Sequence, residues 1–437
     1  MPRLHLYLGL IALSLILTSR SICAAAPATP APAPSGTPAA ATTTPPPAAP
    51  VANTNVLSTR QTVDAVPAGL ASDVAESRKF YTISASLREE YDDNIFTAKT
   101  NKVASSKTTV SPTVIFDFPL DQGSISIRNT FDATYYSNRP GDSFDMQDEF
   151  VVQYNHSFSD RFSISAAEQF RYYTEPSLFQ SVGTNYYNGS YISNLVNLGF
   201  NAQWTPLVSS QTTYSNTIID YENAQTAQQQ NSVENTASQS IGFAILPKIN
   251  LVFGGIIDDI SYDQIARGYT TYTGNTGIDW SVLPSLNLGL RVGGSVIDSE
   301  SAGTSATPYA AVTLNWRLGA RSSLSFNYAH EVAPTDVYIS DGQIADRFTT
   351  TFRYDLMTNL STHVAGIFTY GNYGDNLLLP GNQAFTEEDY AIDVGFNYTL
   401  NRYVSFDIGY IFSGVSSGEN FRDYSRNQVY IGVRGTY

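Results

Sequence analysis

Few residues of this chain are equipped for covalent chemistry. It has 4 histidines and 1 cysteine. Outside the apolar leader the histidines are His156, His330 and His363. A serine hydrolase needs a nucleophile within reach of such a base, and no nucleophile motif accompanies any of the three. No His-Glu cluster has zinc spacing. The chain therefore does not read as an enzyme, and nothing calls for a cofactor or a metal. Asp92-Asp93-Asn94 and Asp258-Asp259 could draw a divalent cation to a rim. No full calcium-loop pattern surrounds them, so they read more simply as solvated charges at loop ends.

A second set of charges has a more telling pattern. Arg128, Arg171, Arg291, Arg353 and Arg434 lie in segments that alternate apolar and polar residues, as do Asp132, Glu149, Asp355, Asp393 and Asp407. If those segments are strands of a closed barrel, all of these side chains face the lumen. Opposed basic and acidic groups would then set up a transverse field and filter small polar solutes by charge and dipole. The same placement also suits pairs that satisfy one another inside a plugged cylinder.

The alternation itself is extensive. In Ser124 to Tyr136, Ile125, Ile127, Phe131, Ala133 and Tyr135 share one face, with Ser126, Arg128, Thr130, Asp132 and Thr134 on the other. Phe348 to Leu356 and Tyr403 to Phe412 repeat the pattern. A period of two is strand geometry and excludes helix. Breaker residues punctuate it at Pro119 to Asp121, Ser159-Asp160, Thr205-Pro206, Pro247-Lys248, Pro284-Ser285, Gly319-Ala320, Thr358-Asn359 and Asn401-Arg402. Longer polar stretches, such as Asn94 to Lys107, Thr174 to Asn188, Glu222 to Ser232, Gly374 to Ala384 and Ser416 to Tyr424, lie between them. Eight short turns and nine long loops, strictly alternating, join about 18 strands, or 16 if one hairpin is miscounted.

The fold expected is all-β: a transmembrane antiparallel up-and-down barrel with a disordered N-terminal segment. A soluble sandwich or propeller also alternates, but lacks such long strands and such a connector rhythm. Aromatic pairs such as Tyr135-Tyr136, Tyr172-Tyr173 and Tyr186-Tyr187, and Trp204, suit interfacial girdles. Two places resist the scheme. Glu168 shares the apolar face of Phe162, Ile164 and Phe170, which requires a bulge or a higher-lying strand. Val208 to Ile219 carries Ser and Thr on both faces.

Composition agrees. The net charge is −15 with only 14% charged residues, and there are 29 Tyr and 23 Phe. So acidic a chain excludes nucleic acid as a partner. Residues 1–25 read as a signal peptide: Arg3, an apolar run from Leu6 to Leu17, then Cys23-Ala24-Ala25. Arg20-Ser21-Ile22 fits a lipoprotein signal at Cys23 poorly. Residues 26–79 read as an Ala/Pro-rich periplasmic linker, and 80–437 as the barrel. Tyr437, a terminal aromatic, reads as the signal to the barrel-assembly machinery.

Glu90-Tyr91-Asp92-Asp93-Asn94-Ile95-Phe96, then Val110-Ser111-Pro112-Thr113-Val114 and a turn at Leu120 to Gly123, open the barrel. With the Tyr-rich hairpins behind them, they resemble the β-barrel porin-2 (OmpL-like) group of outer-membrane porins. The likeness extends over about Phe80 to Tyr437. It implies a transport role. The barrel rhythm itself places the chain in a Gram-negative outer membrane, among lipid and lipopolysaccharide, and an even strand number with short turns facing the periplasm puts both chain ends on that side. The leading expectation is passive diffusion of small hydrophilic solutes. An exopolysaccharide secretion pore, with the polysaccharide as partner, and a structural or adhesive barrel acting through its long loops are the alternatives.

Overall fold

The computed structural model describes residues 80–437 except 175–189, 264–266, 301, 336, 338–339, 341, 375–383 and 419–421. The expected signal peptide and linker lie outside the described residues, as does nearly all of the Thr174 to Asn188 loop. Eighteen strands follow one another: β1 (Tyr81–Asp92), β2 (Ser105–Leu120), β3 (Gly123–Tyr136), β4 (Phe144–Ser159), β5 (Phe162–Tyr173), β6 (Tyr191–Thr205), β7 (Val208–Tyr221), β8 (Ser232–Leu246) and β9 (Ile249–Tyr262). Then come β10 (Gly268–Leu283), β11 (Leu286–Ser299), β12 (Gly303–Arg317), β13 (Ser322–Ala333), β14 (Gln343–Met357), β15 (Leu360–Tyr373), β16 (Phe385–Asn401), β17 (Val404–Ser417) and β18 (Tyr424–Thr436). One short helix, α1 (Ala224–Gln230), sits between β7 and β8, its first turn capped by Asn223 Oδ1 accepting from the Thr226 N–H. Among the described residues no helix is long and apolar enough to cross a membrane.

Each strand pairs antiparallel with the next, and β1 pairs with β18 from Ser84↔Thr436 to Asp92↔Gln428. The sheet closes on itself, so every strand has two neighbours, which is the condition for placing backbone in lipid. Alternation supplies the two faces. In β1, Ile83, Leu87 and Tyr91 are about half exposed on the outside, while Ser84, Ser86, Arg88, Glu90 and Asp92 turn inward. The short turns gather at one end of the barrel with Tyr81 and Tyr437, and the Ile83 and Tyr437 backbones bond to each other both ways. All eight predicted turns fall there.

Three expectations need correction. Connector length does not alternate strictly: residues 300–302 join β11 to β12 at the loop end, fewer than the 318–321 turn at the other end. Closure fixes strand height and leaves loop length free. Second, register shifts occur only beside turns, as at Ser157/Ser159 and Gln203/Thr205. No bulge relieves Glu168, which stays on the outer face opposite Val152 and Val196. Third, strand alternation splits the Tyr135-Tyr136 pair: Tyr135 is half exposed outside, and Tyr136 is buried inside, while Tyr186-Tyr187 lies outside the described residues.

Proline interrupts the ring twice. Pro112 breaks the β2–β3 ladder locally, between Val110↔Ala133 and Thr113↔Thr130, and pairing resumes. At β12–β13 the ladder runs only from Arg317↔Ser323 to Ala310↔His330. Continued, it would set Pro308 against Val332, and a proline has no N–H to offer the ladder. Beyond His330, β13 leans inward with β14, and Val332 packs against Ile260 and Tyr269.

Candidate functional site

The candidate site is the inner wall. Register and alternation put every Arg and Lys that lies within a strand on the inward side, and none on the outer face. Arg128, Asp132, Glu149, Arg171, Arg291, Arg353, Asp355, Asp393, Asp407 and Arg434 all occupy inward positions. What they do there differs with height.

At the loop end the charges are buried and bonded. The Asp92 carboxylate, fully buried, takes both Nε (2.9 Å) and Nη2 of Arg426, and Lys107 Nζ lies 3.2 Å away. The same ammonium is 2.6 Å from Glu90, which also accepts from Gln428 (2.8 Å) and Arg88 (3.0 Å). Arg88 in turn lies 3.6 Å over the Tyr430 ring. That ring can lie flat because the residue beneath it is Gly409, where a Cβ would collide with it. Asp93 accepts from the backbone N–H and the side chain of Asn427. Asn94 donates to Ser425 O and Ala98 O. The opening motif thus ties the first strand to the last. A second buried pair, Arg422 and Glu387, is two-pronged at 2.7 and 3.0 Å.

Above the strands, Arg267 donates to the carbonyls of Ser340 (2.8 Å), Gln229 (2.7 Å) and Thr335, and stacks 3.9 Å over Tyr262. It fastens the β13–β14 connection to α1 and the β9–β10 connection. Lys99 donates to Asp423 at 2.6 Å, outside the strands. That hydrogen bond, with another from the Ser417 N–H, holds the Asp423 carboxyl below the ordinary carboxylate range.

At mid-height, Glu149 joins Arg128 (2.5 Å) and Arg171 (2.9 Å) from the strands on either side, with Gln169 and Tyr173 donating to the same carboxylate. Arg291 bonds Asp279 at 2.7 Å and lies along the wall over Gly277, whose absent side chain leaves room for the Arg291 stem. Nearer the turns, beside Arg353 in the ladder, His363 lies 3.3 Å from Asp393. At the turn end, Arg353, Asp355, Asp407 and Arg434 make no hydrogen bond or ion pair among the described residues, and Arg353 and Asp355 are exposed.

Four of these charges remain unpaired on the inner wall among the described residues. Acids and bases that pair do so between adjacent strands of one wall, since side chains only about 5 Å apart across a ladder meet before any can span a wide barrel. The two rim candidates for a cation also dissolve. Asp92 is committed to Arg426 and Lys107. Asp258 faces inward, bonded by Thr236, while Asp259 faces outward, bonded by Thr270. The histidines are dispersed: His156 between the rings of Tyr154 and Phe158 on the outer wall, His330 outward at 2.9 Å from Asp346, and His363 inward. Among the described residues no serine hydroxyl is bonded to any of the three imidazoles.

Sequence reasoning passed over Glu90, Lys107, Glu387, Arg422 and Arg426. Lys107 and Arg426 carried the same alternation signal as the residues that were picked; Lys107 sat at a strand end assigned to a loop, and Arg426 lay two residues beyond one.

Residues 295–437, essentially β12 to β18, match the model of the family described as "putative beta-barrel porin 2". This bears out the resemblance drawn from the opposite end of the chain. No curated protein sequence matches. Among solved structures the chain is similar to Pseudomonas aeruginosa OccK2 (OpdF), at 9% identity and TM-score 0.45 over 82% of this chain and 98% of that one. P. aeruginosa OpdK with vanillate gives 9% and 0.44 over 82% and 99%. Acinetobacter baumannii OccAB3 gives 11% and 0.41 over 82% and 99%. Likeness at that level bears on neither solute nor mechanism.

Proposed function

We propose that this porin-like outer-membrane barrel is a passive channel for small hydrophilic solutes, with its turn end and N-terminus in the periplasm. One observation carries the reading: in a closed barrel of 18 strands, every strand Arg and Lys turns inward. An apolar solute path would not need them, and a wall that wide encloses space that side chains do not fill by themselves. The paired loop-end charges shape the entrance, since their fields cancel locally. The unpaired turn-end charges act on passing ions. A solute would thus meet a rigid, neutralised mouth first and a charged, wetted segment second.

The test is planar-bilayer recording with the full-length protein purified from outer membranes. Stepwise ion conductance that falls as neutral sugars of increasing size enter the lumen is expected. Electrically silent insertion of correctly folded protein would rule the reading out.

A further inference from the structure

One ladder of the ring ends early. β11 and β12 pair without a break up to Ser299↔Gly303, but the β12–β13 ladder stops at Ala310↔His330. Hydrogen bonds near the turn show which groups are left over. The Arg317 N–H donates to Ser285 O on the β11 side, and the Leu318 N–H to Ser322 O on the β13 side. Alternation then turns the N–H and C=O of the even residues of β12 toward β13. Continued upward, the pairs exchanging hydrogen bonds would be Pro308 with Val332 and Ala306 with Pro334. Each contains a proline, which has no N–H to give. Both strands thus encode the fork, and β13 cannot zip back along β12. It is also held away: Val332 is buried with Ile260 and Tyr269, and Thr335 O accepts from Arg267 and from the Tyr262 hydroxyl.

A bare edge remains. Thr304 and Ala306 each keep a backbone N–H and C=O, and Pro308 a C=O, that bond nothing among the described residues. Gly303 to Ala306 and Pro308 are exposed. Sheets usually protect such an edge with lysine, a bulge or a covering segment. Here Gly303 to Ala306 carry no charge, the register with β11 has no shift, and no described segment covers them. Ala306 stands eleven residues above Arg317, roughly 27 Å up the wall at about 2.5 Å of axial rise per residue. The outward residues of β11 change near this height from Val292 and Val296 to Asp298, which accepts from the Thr304 hydroxyl at 3.3 Å. The edge therefore emerges from an apolar band about 25 Å tall into water. Its surroundings are acidic. Asp298 bonds only that hydroxyl, the Glu300 side chain bonds nothing described, and Asp346 beside the fork accepts only from Tyr328 and His330. β11 above Arg291 and β12 above Arg317 contain no arginine or lysine.

We propose that the upper edge of β12 is a docking site for an extended polypeptide segment that carries basic side chains. Alternate N–H and C=O groups in a row are matched by another strand, which adds to the sheet through its backbone. The strand that should have filled this place is excluded by its own proline. In an antiparallel addition, the residues that exchange hydrogen bonds with Thr304 and Ala306 share their outward face. Lysine or arginine at those positions lies between the carboxylates of Asp298 and Asp346. The small side chains of Thr304, Ala306 and Pro308 leave room for such long neighbours.

The experiment uses the full-length protein in detergent micelles and the synthetic peptide Thr-Lys-Val-Lys-Val-Lys-Thr, with hydrogen exchange resolved to single amides. In the free protein the Thr304 and Ala306 amides should exchange at least tenfold faster than those of Ser305 and Thr307, which point into the β11 ladder. Saturating peptide should slow Thr304 and Ala306 at least tenfold and leave Ser305 and Thr307 unchanged. Methylating the lysine amides of the peptide should abolish this protection, because those N–H groups face the edge. Thr-Glu-Val-Glu-Val-Glu-Thr should bind at least tenfold more weakly, and Asp298→Asn with Glu300→Gln should weaken the lysine peptide several-fold. Ala306→Pro removes an edge N–H and should cost at least tenfold in affinity. If that variant fails to fold, the methylated peptide carries the same test on the native chain. Four results would each overturn the proposal: Thr304 and Ala306 amides already slow in the free protein, as when another segment of this chain covers them; protection that grows with protein concentration alone, as when a second copy does; no protection by the lysine peptide; or equal binding of its methylated form. Conductance is not a readout here, so the result stands apart from the channel function.

Discussion

The two ends of the lumen obey the same alternation and treat their charges in opposite ways. At the loop end Asp92, Glu90, Lys107 and Arg426 are nearly inaccessible and interlocked. At the turn end Arg353, Asp355, Asp407 and Arg434 point the same way and bond nothing described. The difference lies in the neighbours. The loop-end charges meet at the β1–β18 seam, where loops and tyrosines cover them and water cannot compete. Near the turns no described segment covers them, and Arg353 and Asp355 are exposed. Inward position alone therefore does not make a residue a filter; burial decides whether its charge is spent within the wall or remains available to solute.

The sharpest way to break this contrast is Asp92→Ala. It strands the Arg426 guanidinium and the Lys107 ammonium in a covered site, and the barrel should lose about 3–5 kcal/mol, read from urea unfolding followed by tryptophan fluorescence. A loss under about 1 kcal/mol would mean the seam charges are wetter than the geometry says. Glu149→Ala releases two arginines that are less covered, so about 1–3 kcal/mol is expected by the same measurement. Arg353→Glu with Arg434→Glu should leave stability within about 0.5 kcal/mol, as for surface changes. It should instead shift the reversal potential in a KCl gradient toward cations. An unmoved reversal potential would show that these charges lie off the ion path.

The smallest effect concerns pH at the outermost fastening. Asp423 is held below its ordinary pKa by Lys99 and the Ser417 N–H. A depressed carboxylate contributes its stabilisation fully above the unfolded value and loses it as pH falls through the folded one. Hydrogen exchange of the β17–β18 and β1–β2 connections should therefore quicken below pH about 4, and Asp423→Asn should remove that dependence. Exchange that is flat across this range in the native protein would assign no such role to the pair.

Much of the architecture was legible because it rests on local rules. A period of two and breaker pairs such as Pro247-Lys248 and Thr358-Asn359 gave the strands, their number and the common end of Tyr81 and Tyr437. The inward side of Arg128 or Asp393 followed from parity alone. The charge partners were not legible. Asp92 and Arg426 lie 334 residues apart, and no local pattern distinguishes Arg426 from Arg434, eight positions on. The fork at β12–β13 had a signal in Pro308 and Pro334, but a proline's effect depends on the strand opposite. Pro112 shows the same residue type costing only a local gap, after which the ladder resumes in the same register.

Sequence by itself determined that this chain forms a ring of ribbons with apolar residues outward and charge inward, because side-chain alternation is a property of each strand taken alone. Only the tertiary structure decided which charges neutralise each other, which remain wet, and that no bulge turns Glu168 away from the outer face. Those outcomes depend on register and closure, which bring together residues that the chain itself keeps far apart.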